Sequence, residues 1–300
     1  MRKQPQSNTR KYLSPLDIPA GKSGDAEVVR ETKPAGETFK LNSLRTAFFG
    51  QKGGSVTFNH PTVWHQLLID GGRMMSDWPI EHKQHMECLK GMRGRVLVGG
   101  LGLGLAATIL TKRKSITQVV VVEVSQDVID LVAPHIAGGK QEVVKADLLQ
   151  WLKDYQGPKF DYAFYDIWAS DGEGTFFETV VPLYQLSHNK VKTLPVCWNE
   201  DVMRGQLQSS LRSRLMWATM SPEDLDHIKA GEAMRQEIDN LDREDGTDEP
   251  WHNWVVPFFR WWKAAGKPQG DRLDNAIAYY ASHYGLPGFA TLWGFFVKAI

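Results

Sequence analysis

Between residues 94 and 168 the chain alternates two hydrophobic patterns. Short continuous apolar runs (RVLVGG, QVVVVEVS, QEVVKAD, FDYAFYDIW) are separated by segments whose apolar residues recur every three or four positions (LGLAATILTKR, QDVIDLVAPHIA, LLQWLKDY). An unbroken Val-rich strand has both faces covered, and helices between such strands supply the cover. The pattern predicts an α/β fold, a Rossmann-like doubly wound and mostly parallel sheet over 94–200, with TLPVCW as a further strand. Upstream, SVTFNHPTVWHQLLIDGGRMMSD alternates apolar and polar residues around a Gly-Gly turn. This predicts an N-terminal β-hairpin extension of two or three strands within 46–93. DWPIEHKQHMECLKGM then predicts a helix with Asp77 as N-cap, Pro79 in the first turn and Gly91 at its end. Residues 1–45 are polar and rich in Gly, Pro, Ser and Thr, and predict a flexible arm. Past residue 200 the strand signal fades. Two helical segments follow, the second capped by Ser221 before Pro222, and 201–300 as a whole predicts a helical, Trp-rich C-terminal cap.

Composition narrows the function classes. A chain of 300 residues can bury one substantial core and a second, smaller one. Lys+Arg and Asp+Glu both number 35, so there is no general attraction to nucleic acid or an anionic membrane. Cys88 and Cys197 stand far apart and in no metal-ligand spacing, which fits a reducing cytoplasm without a disulfide framework. The start, MRKQPQSNTRKYLSP, lacks the apolar core of a signal peptide, and no apolar run approaches the roughly 20 residues of a membrane span. A cytoplasmic protein without a membrane partner is expected. His60, His65, His82 and His85 form no metal set, and DREDGTDEP lacks the alternation of a calcium loop, so no metal is expected. Six of the eleven tryptophans follow residue 210. Trp254, Phe258, Trp261 and Trp262 keep helical spacing, which reads as a buried stripe and disfavours, without removing, nucleic acid as a partner. The N-terminal hairpins could pair two copies into a homodimer.

The chemistry gathers at one edge of the expected sheet. Gly100, Gly102 and Gly104 lie where the first strand ends and the first helix begins. A ribose or phosphate can approach a backbone closely only where Cβ atoms are absent. Glu123 ends the second strand, where a carboxylate can accept from both hydroxyls of a ribose. Asp147 ends the third strand and Asp166 the fourth. Each acid alone could simply cap a helix. A glycine turn and three acids in strand order fit a nucleoside-type ligand better. A dinucleotide site usually reads G-x-G-x-x-G, whereas this turn reads G-x-G-x-G.

With these residues the sequence resembles the class I S-adenosylmethionine-dependent methyltransferases over roughly 55–200. VLVGGLGLG looks like their first motif, VVVVEVS their second, VVKADLLQWL their third and FDYAFYDIW their fourth. The resemblance implies S-adenosylmethionine as cofactor, with Gly100, Gly102 and Gly104 beneath it, Glu123 on the ribose and Asp147 facing the adenine. One departure is Val98, where the family often has an acid. DWPIEHK resembles the DE-x-x-YHE segment of spermidine synthases, with Asp77 and His82 in matching places and Glu81 where the tyrosine stands. A similar MSD-x-P-x-E segment occurs in small methyltransferase-like proteins, many of them phage-encoded. This branch implies that Met75, Ser76, Asp77, Glu81 and His82 lie near the cofactor's methionine end; an ordinary capped helix start is the other reading.

Aminopropyl transfer is the less favoured chemistry. Spermidine synthases carry an Asp within the glycine turn where this chain has Leu103, and the second acid after the fourth strand is displaced to Asp171. Methyl transfer to an unidentified acceptor is therefore expected, whether a small amine, a protein side chain or a nucleic acid. It needs alignment, exclusion of water and, for an N–H or O–H acceptor, a base. Asp166 is the candidate base, Trp168 a candidate pocket wall, and Trp198 either a substrate contact or a seal between helix and sheet. Besides a spermidine-synthase-like aminopropyltransferase, a non-catalytic binding module on the same fold is the remaining alternative.

Overall fold

The computed structural model describes residues 14–40, 55–136, 138–168, 175–221 and 250–299, with residues 223, 224, 228, 231 and 236. It divides into two compact units, Met1–Ala169 with Leu186–Trp198, and Ser170–Gln185 with Asn199–Ile300. Residues 170–185 thus group with the helical part rather than with the expected 94–200 domain.

The first unit begins with strands β1 (Gly21–Ser23), β2 (Ala26–Lys33), β3 (Thr38–Lys40), β4 (Ser55–Thr57), β5 (Thr62–Ile69) and β6 (Gly72–Ser76), then helix α1 (Pro79–Cys88). After them come β7 (Gly94–Gly99), α2 (Leu105–Thr111), β8 (Ile116–Glu123), α3 (Gln126–Val132), β9 (Gln141–Lys145), α4 (Leu148–Asp154), β10 (Tyr162–Tyr165) and, further along, β11 (Val196–Cys197). The five later strands form one sheet in the order β11-β10-β7-β8-β9, and every neighbouring pair is parallel. The chain starts in the middle, winds out through β8 and β9, then returns to β10 on the other side of β7. This is the Rossmann-like doubly wound fold that the strand–helix alternation predicts. Val96, Leu97, Val98 and Val119 to Val122 are all buried, as the unbroken apolar runs require. Helix α2 is buried at every position, which its small and aliphatic residues permit. Ser125 caps α3 by accepting from Val128 N (3.3 Å), and Asp147 caps α4 by accepting from Gln150 N (2.8 Å).

Two expectations need correction. The flexible arm expected at 1–45 holds three strands within its described part. β2 pairs antiparallel with β5 along its whole length, in a sheet ordered β1-β2-β5-β6. Ala26 and Val28 alternate inward and are each 1% exposed. Two small apolar residues among charges sufficed to place a strand, and the polar composition around them hid it. Asp77, expected as a helix N-cap, does not cap α1. Trp78 holds that position without a side-chain cap, and Pro79 starts the helix. The Asp77 carboxylate turns inward instead, accepting from the backbone and Nδ1 of His65 and from Ser14 Oγ.

The second unit contains α5 (Val181–Ser187) up to Gln185, preceded by a π-helical turn at Phe176–Val180, then α6 (Glu200–Trp217), α7 (Pro250–Ala264), α8 (Gly270–His283) and α9 (Phe289–Ala299). Trp254, Phe258 and Trp262 are buried at four-residue spacing, and Trp254 and Phe258 pack on Tyr280 of α8. That is the buried stripe expected of this segment, except that Trp261 is only half-buried. Ser221 Oγ accepts from Asp224 N (3.1 Å) in the manner of an N-cap. The rest of that predicted helix and the acidic DREDGTDEP segment fall largely outside the described residues. Among the described residues no helix is long and apolar enough to cross a membrane.

Val28→Asp tests whether β2 belongs to the folded unit. A buried, uncompensated carboxylate there should lower the unfolding free energy by about 3–5 kcal/mol in denaturant titrations. A flexible arm would tolerate the change without effect.

Candidate functional site

Parallel register brings four strand ends to one edge. Gly99 pairs with Val122 of β8 and with Tyr165 of β10, and Glu123 pairs with Lys145 of β9. The next residues along each strand therefore surround a single crevice, on the side where ligands enter doubly wound sheets. A cavity of about 310 Å³ opens there. Of the residues singled out in the sequence, Met75, Gly100, Gly102, Glu123, Asp147, Asp166 and Trp168 line it. Gly104, Asp77, His82 and Trp198 are not among its lining residues.

The glycine turn is a backbone requirement before it is a ligand requirement. Gly100, Gly102 and Gly104 have φ of 88°, 49° and 70°, a region open to glycine and costly for other residues. A Cβ on Gly100 would strike the carbonyl oxygen of Asp166, and one on Gly102 would strike Met75 Sδ. That sulfur also accepts from Leu103 N (3.1 Å). The space above Gly102 is thus taken by the protein's own thioether, which ties β6 to the turn. A Cβ on Gly104 would press on Val132 and Ile136, so this glycine serves helix packing.

Glu123 is 9% exposed, and both its oxygens are engaged. Oε2 accepts from Leu101 N (2.7 Å) within the glycine turn, and Oε1 from Ser125 N (2.8 Å). Each carboxylate oxygen has a second lone pair, so the group can hold the turn and still accept from a ligand. Asp147 combines its two sequence readings: it caps α4 and lines the cavity. Asp166 is fixed by its own N–H, which donates to Gly99 O (2.9 Å). Trp168 lines the wall, and its buried indole N–H finds no acceptor among the described residues.

Charge sets what can bind. The lining holds three carboxylates and, among the described residues, no Lys, Arg or His. Such a cavity attracts cations and hydrogen-bond donors and repels a pyrophosphate. Aliphatic residues such as Leu148 and Val128 supply flat apolar surface beside the acids.

The residues from the upstream segment behave differently. Asp77 is fully buried in its bonds to His65 and Ser14. Glu81 accepts from Ser76 N (3.0 Å), and its burial pushes its pKa above the ordinary 4.5 against that bond. Burial also lowers the pKa of the half-buried His82. None of these three side chains lines the cavity. Trp198, just after β11, is buried, with its ring tilted against that of His85.

Sequence reasoning missed His85. It is 2% exposed, and its Nε2 lies 3.7 Å from Asp166 Oδ2. Its position one turn after Glu81, on the helix that precedes β7, was the available signal.

No protein-family model matches this chain, and no curated protein matches it. Solved structures do. A putative SAM-dependent methyltransferase from Streptococcus mutans is 12% identical, with TM-score 0.34, over 43% of this chain and 36% of the other. Spermidine synthase from Thermotoga maritima is 17% identical, with TM-score 0.31, over 43% and 45%. A dimethyladenosine transferase from Plasmodium falciparum is 20% identical, with TM-score 0.25, over 30% and 32%. In each case less than half of the other chain is matched.

Two measurements follow from the geometry. Gly100→Ala forces a Cβ into the Asp166 carbonyl at positive φ and should cost about 1–3 kcal/mol in denaturant unfolding. Because the folded-state pKa of Glu81 is raised, its contribution to stability is full below the ordinary value and lost as pH rises through the raised one. Glu81→Gln should therefore flatten the stability–pH curve across that window, read by thermal unfolding at a series of pH values.

Proposed function

We propose that this chain is an S-adenosylmethionine-dependent methyltransferase whose cofactor lies in the cavity at the carboxyl edge of the parallel sheet. The supporting observation is the pairing of a glycine turn with three carboxylates and no described cation in one apolar-walled cavity. An adenosyl sulfonium presents hydroxyls, a flat base and a positive charge, and each has a counterpart there. Glu123 accepts from the ribose hydroxyls through the lone pairs left free by Leu101 and Ser125. Asp147 and the aliphatic side chains beside it receive the adenine. Asp166 and Trp168 stand at the reacting end, where the carboxylate orients the acceptor and the indole keeps water out. Bound S-adenosylmethionine supplies an already activated methyl group, so alignment and proton removal are what the chain must add. The protein acts in the cytoplasm, on an acceptor that the residues do not name.

One observation favours a second reading. S-Adenosylmethionine carries a carboxylate, and the described lining offers that anion no cation. The Leu103 N–H that could bind it is taken by Met75. A decarboxylated cofactor, the substrate of aminopropyl transfer, escapes this problem.

Calorimetric titration with S-adenosylmethionine, its demethylated product and the decarboxylated compound separates the readings. Methyl transfer predicts that the first two bind. Glu123→Ala should weaken both by about tenfold or more, the ~1.5–3 kcal/mol of hydrogen bonds to a charged group. Binding confined to the decarboxylated compound would turn the assignment to aminopropyl transfer, and binding of none would contradict both.

A further inference from the structure

We infer that His85 is a positioning residue for Asp166 and the final holder of the proton that Asp166 removes, so that the methyl acceptor carries an N–H or O–H. This rests on the methyltransferase reading of the cavity. His85 Nδ1 lies 2.9 Å from the carbonyl oxygen of Glu81 one turn earlier in α1. A carbonyl only accepts, so Nδ1 carries a proton; on this inference the resting ring is neutral, with its lone pair on Nε2. That lone pair faces Asp166 Oδ2 at 3.7 Å, beyond hydrogen-bond reach.

The surroundings suit a charge that arrives during the reaction. Trp198 packs against the His85 ring with centroids 4.2 Å apart and planes inclined by 32°. An imidazolium against an indole face is favoured by the ring's quadrupole. Phe164 packs on the same imidazole with centroids 5.6 Å apart. His85 is buried, whereas the Asp166 side chain is 23% exposed and lines the cavity. The carboxylate is thus the group that reaches the acceptor, and the imidazole lies behind it. In the step itself the acceptor's nitrogen or oxygen bonds to the methyl carbon as the sulfur–methyl bond breaks, its electron pair staying on sulfur. The acceptor's proton passes to Asp166 and from there to His85 Nε2. The assignment gives Trp198 a place behind the reacting carboxylate rather than in the cavity wall.

Histidine-15N NMR on the full chain at neutral pH tests this without a known acceptor. His85 should show the less common neutral tautomer, with Nδ1 protonated and Nε2 not. In Asp166→Asn, the carboxamide can donate to the lone pair and should move the Nε2 resonance upfield. An Nε2-protonated ring in the native protein, or an Nε2 signal indifferent to Asp166→Asn, would overturn the proposal. A second arm follows labelled methyl from S-adenosylmethionine into a cell extract. His85→Asn should cut incorporation by at least ~tenfold while binding of the demethylated product, by calorimetry, stays near native. Parallel loss of binding and incorporation would reduce His85 to a structural role. If the native protein neither binds cofactor nor incorporates label, the methyltransferase reading fails, and the NMR result still decides whether His85 and Asp166 are coupled.

Discussion

Two backbone N–H groups, those of Leu101 and Ser125, converge on the Glu123 carboxylate, and the cavity depends on that junction. The first belongs to the glycine turn after β7, the second to the loop after β8. Joining them fixes where the turn stands relative to the second strand, and so fixes the cavity floor. The cost of burying the carboxylate is offset by two charge-assisted hydrogen bonds. Parallel register does the rest, carrying Asp147 and Asp166 to the same edge from their own strands.

The acids at this edge show that capping and ligand binding are not competing roles. Asp147 spends one oxygen on the first turn of α4 and still lines the cavity. Glu123 spends one lone pair of each oxygen on the backbone. A carboxylate has more acceptor sites than one turn can use, so a strand-terminal acid can build its own loop and remain available. The glycines obey similar logic. Positive φ and close approach by Asp166 and Met75 require them whether or not a ligand is bound.

What could be read from the sequence follows from how local each signal was. The Val-rich strands, the glycine turn and the order of the strand-end acids are contiguous patterns, and from these the Rossmann-like fold and all three carboxylates of the cavity could be read. The hairpin at 62–76 was legible from its alternation and its Gly-Gly turn. β2 was not, because its inward face is only Ala26 and Val28 amid charged residues, and its strand character comes from pairing with β5. Asp77 looked like a cap because capping is the local role of an acid before a helix; its partners His65 and Ser14 are distant in sequence. His85 was hidden for the same reason: its relation to Asp166 spans α1 and β10, and no spacing along the chain encodes it.

The central claim is that the glycine turn and the three acids form the binding site for an adenosyl ligand. Hydrogen–deuterium exchange with and without S-adenosylhomocysteine addresses it most directly. The account predicts slowed exchange at Gly100 and Gly102, at Val124 and Ser125, and at Asp147 and Leu148, all of which line the cavity. Unchanged exchange there, or protection confined to the aromatic helices between Pro250 and Ala299, would contradict it.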